Sequence, residues 1–226
     1  MRAHGLMSGI KPMVLAAALL ASQVAMANVV VSFNTSLGSF DVSLDDAAAP
    51  VTAANFMSYV QSGAYDGTVV HRSVPGFVVQ GGGFYDTLAG VAQLAPIVNE
   101  TNLSNVRGTI AMARTADLNS ATSQWFINTA NNLSLDTAKY AVFGQVLGDG
   151  MKVVDAIAAL PIYNLSNFAG GAFGEVPLRN VGNATAFQPE FFVKVSISAV
   201  PEPQSWALMA IGGLALCAAA RARRQA

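Results

Sequence analysis

Few side chains between residues 28 and 200 can do chemistry, and two of them, His71 and Arg72, are neighbours. This stretch has no other histidine and no cysteine, so it cannot supply the usual Cys/His ligands of a zinc site. A Ser-His-Asp hydrolase would need His71, yet no Gly-x-Ser-x-Gly motif accompanies it. Arg72 offers a permanent charge and a fixed fork of N–H donors. Taken alone, an arginine in a strand-rich segment is most often a surface or ion-paired residue.

The glycine run 81–83 raises the question of a phosphate-binding loop. It lacks the Gly-Lys-Ser/Thr ending of a P-loop, and Asp86 stands where Gly-x-Gly-x-x-Gly would need its last glycine. Nucleotide binding is therefore disfavoured. Glycine also permits a tight turn or a close approach of two backbones, which is the role we expect here.

Four blocks of sequence resemble the signature of the cyclophilins, the peptidyl-prolyl cis/trans isomerases. They are residues 70–84 (VHRSVPGFVVQGGGF), 107–114 (RGTIAMAR), 123–128 (SQWFIN) and 140–146 (YAVFGQV). The blocks follow the family's order and near-family spacing, and the resemblance spans roughly residues 29–199. Residues 116–124 (ADLNSATSQ) are most similar to the periplasmic bacterial branch.

The resemblance implies a mainly β fold, a closed eight-stranded antiparallel barrel capped by two α-helices. It also implies cis/trans isomerisation of X–Pro bonds without a metal or organic cofactor. Rotation about a peptide bond costs about 18–20 kcal/mol because resonance gives the C–N bond partial double-bond character. A catalyst breaks no bond here. It must hold the proline ring and the flanking backbone, and it must stabilise the twisted amide.

Arg72 is the residue that the resemblance assigns to catalysis. A donor aimed at the prolyl nitrogen is useful only once that nitrogen becomes pyramidal, so it binds the transition state preferentially. By the same resemblance, five apolar side chains wall the proline pocket: Phe77, Val78, Phe126, Leu135 and Tyr140. The substrate main chain is held by Gln80 and the backbone of Ala113 and Arg114, with Gln124 bracing the site beside them.

Some positions depart from the best-known family members. Ser134 stands where many eukaryotic cyclophilins carry tryptophan, and Tyr140 where they carry histidine. Val78 replaces a common methionine and Arg114 a common asparagine, a position that works mainly through its backbone. The loss of the tryptophan wall predicts weak binding of cyclosporin. We interpret His71 as a strand residue rather than an acid or base.

These side chains must be positioned by strands and by two helices. Alternation of apolar and polar residues over 40–44 and 191–197 predicts half-buried strands. Further short apolar runs fall at 68–71, 77–80, 109–113, 124–128 and 140–147. Helical spacing predicts one helix that follows Pro50 and stops at Gly63, and a second with Asp149 as a possible N-cap and Pro161 at its end. Residues 161–190, rich in Gly and Asn, are predicted to be a long surface connection.

Charge disfavours nucleic acid as a partner. The chain has a net charge of −1, but residues 28–200 hold seven Lys and Arg against twelve Asp and Glu. No basic stripe remains to neutralise phosphates.

The hydrophobic fraction of 53% and charged fraction of 11% exclude intrinsic disorder.

The two ends are typical of an exported protein. Residues 1–27 combine a basic start, a short apolar run and a final Ala-Met-Ala, as in a signal peptide that signal peptidase removes. An uncleaved anchor helix is the alternative, although the run is far shorter than the ~20 residues that span a bilayer. The predicted isomerase domain is residues 28–199.

Residues 200–226 resemble the PEP-CTERM sorting tail of Gram-negative bacteria. They contain Pro201-Glu202-Pro203, an apolar run over 206–220 that predicts a short transmembrane helix, and a terminal arginine cluster. The resemblance implies processing by an exosortase after transient membrane association, and a plain C-terminal anchor is the alternative. Cys217, the one cysteine of the chain, lies in this tail.

The sequence therefore predicts an exported peptidyl-prolyl isomerase. It would cross the inner membrane to the periplasm, cell surface or extracellular matrix of a Gram-negative bacterium, and its partners would be unfolded or exported polypeptides that contain proline. The alternative is a module of the same fold that binds proline-containing segments, or chaperones them, without turnover.

Overall fold

The computed structural model describes residues 29–201, which form a large antiparallel sheet curled around an aromatic core. The sheet has nine strands in the order β3-β11-β1-β2-β8-β6-β7-β5-β4. Their bounds are β1 Val30–Thr35, β2 Gly38–Leu44, β3 Thr68–Val69, β4 Arg72–Val74, β5 Val78–Gly81, β6 Thr109–Met112, β7 Trp125–Asn128, β8 Val142–Val146 and β11 Lys194–Ala199. The apolar runs found in the sequence correspond to these strands.

The two edge strands of the sheet, β3 and β4, are neighbours in sequence and are joined by Val70 and His71. Two residues span only a few ångströms, so the sheet must curl until its two ends meet. The predicted mainly β, antiparallel fold is confirmed, in the form of a curled sheet. The strand count is nine rather than eight, and among residues 29–201 no backbone ladder joins β3 to β4.

Two longer helices lie where helical spacing predicts them. Helix α1 spans Pro50–Gln61, with proline in its first turn, and α3 spans Met151–Ala158. The start of α1 is capped from a distance, because the Glu100 carboxylate accepts hydrogen bonds from Val51 N (3.2 Å) and Thr52 N (2.8 Å). The expected N-cap of α3 is wrong by one residue: Gly150 occupies it. The Asp149 carboxylate instead pairs with Lys152 at 2.9 Å.

The segment 161–190 is more structured than a surface connection. It contains β9 Ile162–Tyr163, α4 Ser166–Ala169 and β10 Val176–Pro177, with β9 and β10 paired in a small sheet. It also buries Phe173 and Leu178 in a second apolar cluster with Phe192. The prediction of a surface connection was wrong because the glycines and asparagines of this segment separate the few apolar residues that anchor it.

A further short helix, α2, spans Leu133–Thr137.

Alternate side chains of the strands point to two different apolar clusters. Ile110 and Trp125 belong to the main core, where the Trp125 ring meets Phe33 edge-on with centroids 5.1 Å apart. Their chain neighbours Ala111 and Phe126 belong to a smaller cluster on the other face of the sheet. The period of two in a strand thus builds a closed core on one side and an apolar floor on the other.

No helix within residues 29–201 has the length and apolar character needed to cross a bilayer. The predicted signal peptide and the predicted apolar helix of the C-terminal tail lie outside the described residues.

Candidate active site

A cleft of about 240 Å³ lies over the smaller apolar cluster. Pairing of the strands arranges its residues, because Arg72 on β4 faces Gln80 on β5, and Gln80 faces Phe126 on β7. The three side chains therefore form a row across neighbouring strands on one face of the sheet. The residues lining the cleft are Arg72, Phe77, Val78, Gln80, Ala113, Arg114, Phe126, Leu135 and Tyr140.

Arg72 is held by two partners. Its Nε donates to Oε2 of Glu175 at 2.9 Å, and its Nη1 donates to Oε1 of Gln80 at 3.4 Å. Gln80 in turn donates from Nε2 to Oε1 of Gln124 at 3.0 Å. The Arg72 side chain remains 34% exposed, so the guanidinium is fixed in direction but still reaches the cleft.

The apolar side of the cleft is a shallow cup of aromatic and aliphatic side chains. Phe126 forms its floor and is 4% exposed, and Val78 beside it is 2% exposed. The Tyr140 ring meets Phe126 edge-on with centroids 5.7 Å apart, and Leu135 from α2 packs against the same cluster. The cup therefore presents apolar surface and no carboxylate, which suits an uncharged ring such as that of proline.

Arg114 lines the same cleft as Arg72 and differs from it in its partners. The Arg114 guanidinium lies over the Tyr140 ring, 4.4 Å from its centroid. It donates hydrogen bonds to the carbonyls of Thr115 and Ala138. The Arg114 side chain is thus part of the cleft wall, and not only its backbone.

Gln124 lies beside the cleft, and the glycine run leaves room for its side chain. A Cβ on Gly83 would lie 2.8 Å from Cδ of Gln124, and one on Gly82 would lie 2.6 Å from Nε1 of Trp125. Gly82 also has φ +75°, a conformation that side-chain-bearing residues rarely adopt. The glycines therefore permit the close backbone approach that the sequence predicts.

His71 is buried next to Arg72 and does not line the cleft. It is 1% exposed and meets the ring of Phe84 at 5.0 Å. Burial, together with the neighbouring Arg72 charge, lowers the pKa of His71 to about 4. The imidazole is therefore uncharged at neutral pH, and His71 lies in the link between β3 and β4 rather than within a strand.

The structure brings every predicted site residue to this cleft, with Gln124 one hydrogen bond behind it. Ser134 is exposed on α2 and is not part of the lining. Sequence reasoning missed Glu175, because a carboxylate in a glycine-rich segment more than a hundred residues from Arg72 carries no local signal of that contact.

A network of buried side-chain amides supports the apolar side of the cleft, and sequence reasoning missed this network too. Asn132 donates to the carbonyl of Phe77 (2.9 Å) and to the side chain of Asn128 (2.7 Å). Asn128 donates to Asn105, and Asn105 donates to the Asp136 carboxylate at 2.9 Å. The network ties the segments that carry Phe77 and α2 to strand β7. Each of these residues alone is an ordinary turn or strand residue in sequence.

Within residues 29–201, no group of three or more His, Cys, Asp or Glu side chains is close enough to hold a metal ion.

Known proteins are similar to this chain in sequence and in fold. Residues 30–181 match the family model of cyclophilin type peptidyl-prolyl cis-trans isomerases, and residues 199–224 match the PEP-CTERM protein-sorting motif. A peptidyl-prolyl cis-trans isomerase of Acinetobacter baylyi is 48% identical over 149 residues, which cover 63% of this chain and 79% of that protein. Peptidyl-prolyl cis-trans isomerase A of Dickeya dadantii is 45% identical over 157 residues, which cover 67% of this chain and 80% of that protein.

Solved structures agree at the level of the fold. A cyclophilin type peptidyl-prolyl cis-trans isomerase of Cryptosporidium parvum superposes with a TM-score of 0.57 at 20% identity, covering 78% of this chain and 99% of the other. The family model matches more than half of the chain and includes every residue of the cleft. The chain therefore belongs to the cyclophilin-type peptidyl-prolyl cis-trans isomerases.

Proposed function

We propose that this cyclophilin accelerates rotation about X–Pro bonds in exported proteins by binding the twisted amide in the cleft. The observation that carries the proposal is the juxtaposition of a fixed guanidinium, Arg72, with an apolar cup floored by Phe126. Family membership and the names of the bacterial relatives support the same activity.

Arg72 would act on the prolyl nitrogen. In the planar amide that nitrogen shares its lone pair with the carbonyl and accepts no hydrogen bond; at the twisted transition state the lone pair is localised. A donor that is already oriented needs no reorganisation at that moment, so its interaction is stronger in the transition state than in the ground state. Glu175 and Gln80 supply that orientation.

The remaining cleft residues would hold the substrate on both sides of the rotating bond. Phe77, Val78, Phe126, Leu135 and Tyr140 would enclose the proline ring. Gln80 and the backbone of Ala113 and Arg114 would hold the main chain, with Gln124 bracing Gln80. No metal or organic cofactor takes part in this mechanism, because no covalent bond is broken.

We further propose the boundaries and the route of export. Signal peptidase would remove residues 1–27, residues 28–199 would form the isomerase domain, and an exosortase would process the tail 200–226 after transient membrane association through its apolar helix. Unfolded or exported polypeptides that contain proline would be the clients, and nucleic acid would not. The final location would be the periplasm, cell surface or extracellular matrix. The PEP-CTERM motif supports the sorting step.

The curled sheet supports a further proposal, that it acts as a closed barrel. The curl brings the two ends of the sheet together where β3 leads into β4, and side chains of the main core would fill the enclosed space. Closure would leave no free strand edge for unwanted pairing with other chains.

Substitution of Arg72 tests the mechanism. We expect Arg72→Ala to lower kcat/KM on a proline tetrapeptide by about 10²–10³-fold, the usual effect of losing one transition-state donor. Arg72→Lys should be severely impaired too, because it keeps the charge but loses the planar fork. The unfolding temperature should change little, because partly exposed ion pairs contribute only about 0–1 kcal/mol.

Two outcomes would contradict this mechanism. Near-wild-type turnover by Arg72→Ala would show that Arg72 is not the catalytic donor. Binding of proline peptides by a wild-type protein that has no turnover would favour the alternative, a proline-binding module.

A further inference from the structure

Two arginines face the cleft, and their charges are compensated differently. Arg72 is paired with the Glu175 carboxylate at 2.9 Å. Within residues 29–201, Arg114 forms no ion pair; its hydrogen bonds go to the neutral carbonyls of Thr115 and Ala138. A carbonyl orients a guanidinium without cancelling its charge. Arg114 therefore contributes a full positive charge to the cleft wall.

The position of this charge is fixed rather than mobile. The guanidinium is stacked on Tyr140, and its two terminal nitrogens are bonded to two different segments of backbone. A long exposed side chain would have to lose conformational freedom on meeting a client, but this one has already lost it. The Tyr140 ring that carries it lines the same cleft as Phe126.

The surrounding domain has the opposite sign. Residues 28–200 carry an excess of acidic over basic side chains, so the cleft wall is locally positive on an acidic molecule. Complementary charge at a binding site discriminates between partners more than it adds to affinity.

We propose that Arg114 makes this cyclophilin selective for clients with an acidic side chain directly before or after the proline. The inference rests on the proposed function, because it assumes that client chains occupy this cleft. The attraction acts on bound substrate and transition state alike, so it should lower KM rather than raise kcat. It should also weaken with salt, since the Debye length shrinks from about 30 Å at 0.01 M to about 3 Å at 1 M.

The test compares capped peptides that differ in one residue. In one series Glu, Gln or Lys precedes proline, and in the other it follows proline; isomerisation by the exported protein is measured by exchange NMR, without a coupling protease. We expect kcat/KM for Glu to exceed that for Lys by about three- to tenfold in at least one series at low ionic strength. The difference should lie in KM and should vanish at high salt.

Substitutions of Arg114 test whether its charge causes the preference for acidic peptides. Because each variant is scored by its own Glu-to-Lys ratio, a general loss of activity does not confuse the result. Arg114→Gln should bring the ratio close to one, and Arg114→Lys should keep most of it. Lys152→Gln is the matched control, because it removes one positive charge from an exposed position on α3 outside the cleft and should leave the ratio unchanged.

The outcomes separate this inference from the function on which it rests. Wild-type turnover with equal rates for Glu and Lys peptides in both series overturns the inference and leaves the isomerase intact. An unchanged ratio in Arg114→Gln also overturns it. If no peptide is turned over, the proposed function fails; the Kd values of the same peptides then decide whether Arg114 selects acidic segments.

Discussion

At the residue scale, the orientation of the Arg72 guanidinium depends on the Glu175 carboxylate, which a distant segment of the chain supplies. Glu175 contacts Arg72 at 2.9 Å, and the backbone of the two segments is joined as well, because Ser73 N donates to the Glu175 carbonyl at 2.7 Å. The Gln80 contact, at 3.4 Å, is much weaker. We therefore expect Glu175 to act as a positioning residue for Arg72.

Removal of the Glu175 carboxylate should slow catalysis without abolishing it. We expect Glu175→Ala to lower kcat by about tenfold with a smaller change in KM, because misorientation of a catalytic group costs rate more than binding. Glu175→Gln should recover part of the loss, since its amide oxygen can still accept from Nε. Steady-state kinetics check this.

Asp155→Ala is a suitable control for Glu175→Ala. It breaks the Arg107–Asp155 ion pair, whose side chains are similarly exposed at 43% and 47% but lie outside the cleft. Equal losses of kcat in both variants would show that Glu175 acts on general stability rather than on Arg72.

Ser134 should determine the response to cyclosporin. Family members that bind the drug tightly use a tryptophan at this position, and an aromatic side chain buries about 150–250 Å² that serine cannot. We expect weak inhibition of the wild type and a gain in affinity of about tenfold or more in Ser134→Trp. Titration with cyclosporin measures both.

Leu133→Trp controls for the added hydrophobic surface, because Leu133 is its exposed neighbour on α2 and lies outside the cleft. Nanomolar inhibition of the unmodified protein would show that the tryptophan wall is unimportant here.

At the element scale, the turn after β5 tolerates no side chain. A Cβ on Gly82 would lie 2.8 Å from the carbonyl of Ser123 as well as against Trp125. Gly82→Ala should therefore lower the free energy of unfolding by about 2–4 kcal/mol, combining the strain of a positive φ with overpacking. Urea denaturation measures this loss.

Gly76→Ala is the matched control for Gly82→Ala. Gly76 has a similar φ of +70° but open space where its Cβ would lie. It should cost about 1–2 kcal/mol, the strain alone. Equal losses in the two variants would mean that the close approach to Trp125 is unimportant.

The elements that the sequence predicted are those with a regular local pattern. Alternation of Phe40, Val42 and Leu44 predicts β2, and apolar spacing predicts α1 and α3. Phe192 shows the limit of such patterns. Alternation over 191–197 predicts that Phe192 lies on the polar side of the last strand, yet it precedes β11 and is fully buried in a second apolar cluster. A burial that depends on a distant segment leaves no period in the local sequence.

Only part of the candidate site could be predicted from the sequence. Family motifs lead to Arg72, Gln80 and Phe126 because those residues lie inside continuous blocks. The Glu175 contact and the stacking of Arg114 on Tyr140 arise between segments with no such motif. These contacts arise from tertiary packing, so the local sequence does not predict them.

At the scale of the whole molecule, the tail should be separable from the folded domain. The last strand, β11, ends at Ala199, and the sorting motif matches residues 199–224. We expect intact-mass analysis of the exported protein to give a C-terminus near residues 200–206, with all strands retained. The same gene expressed in a cell without an exosortase provides the control and should keep its tail. A full tail through Ala226 in a cell that has an exosortase would instead support a permanent anchor.

The pairing of β11 would also set the order of folding during the proposed export. A chain that crosses the membrane from its N-terminus delivers residues 194–199 after all other strands. Until then β3 lacks its β11 partner, and Val70 lacks the Val193 carbonyl to which it donates at 2.9 Å. Arg72 follows Val70 by two residues, and its strand is anchored until then by the pairing of β4 with β5. The strands that carry the cleft could therefore pair first, and the curl of the sheet would be completed last.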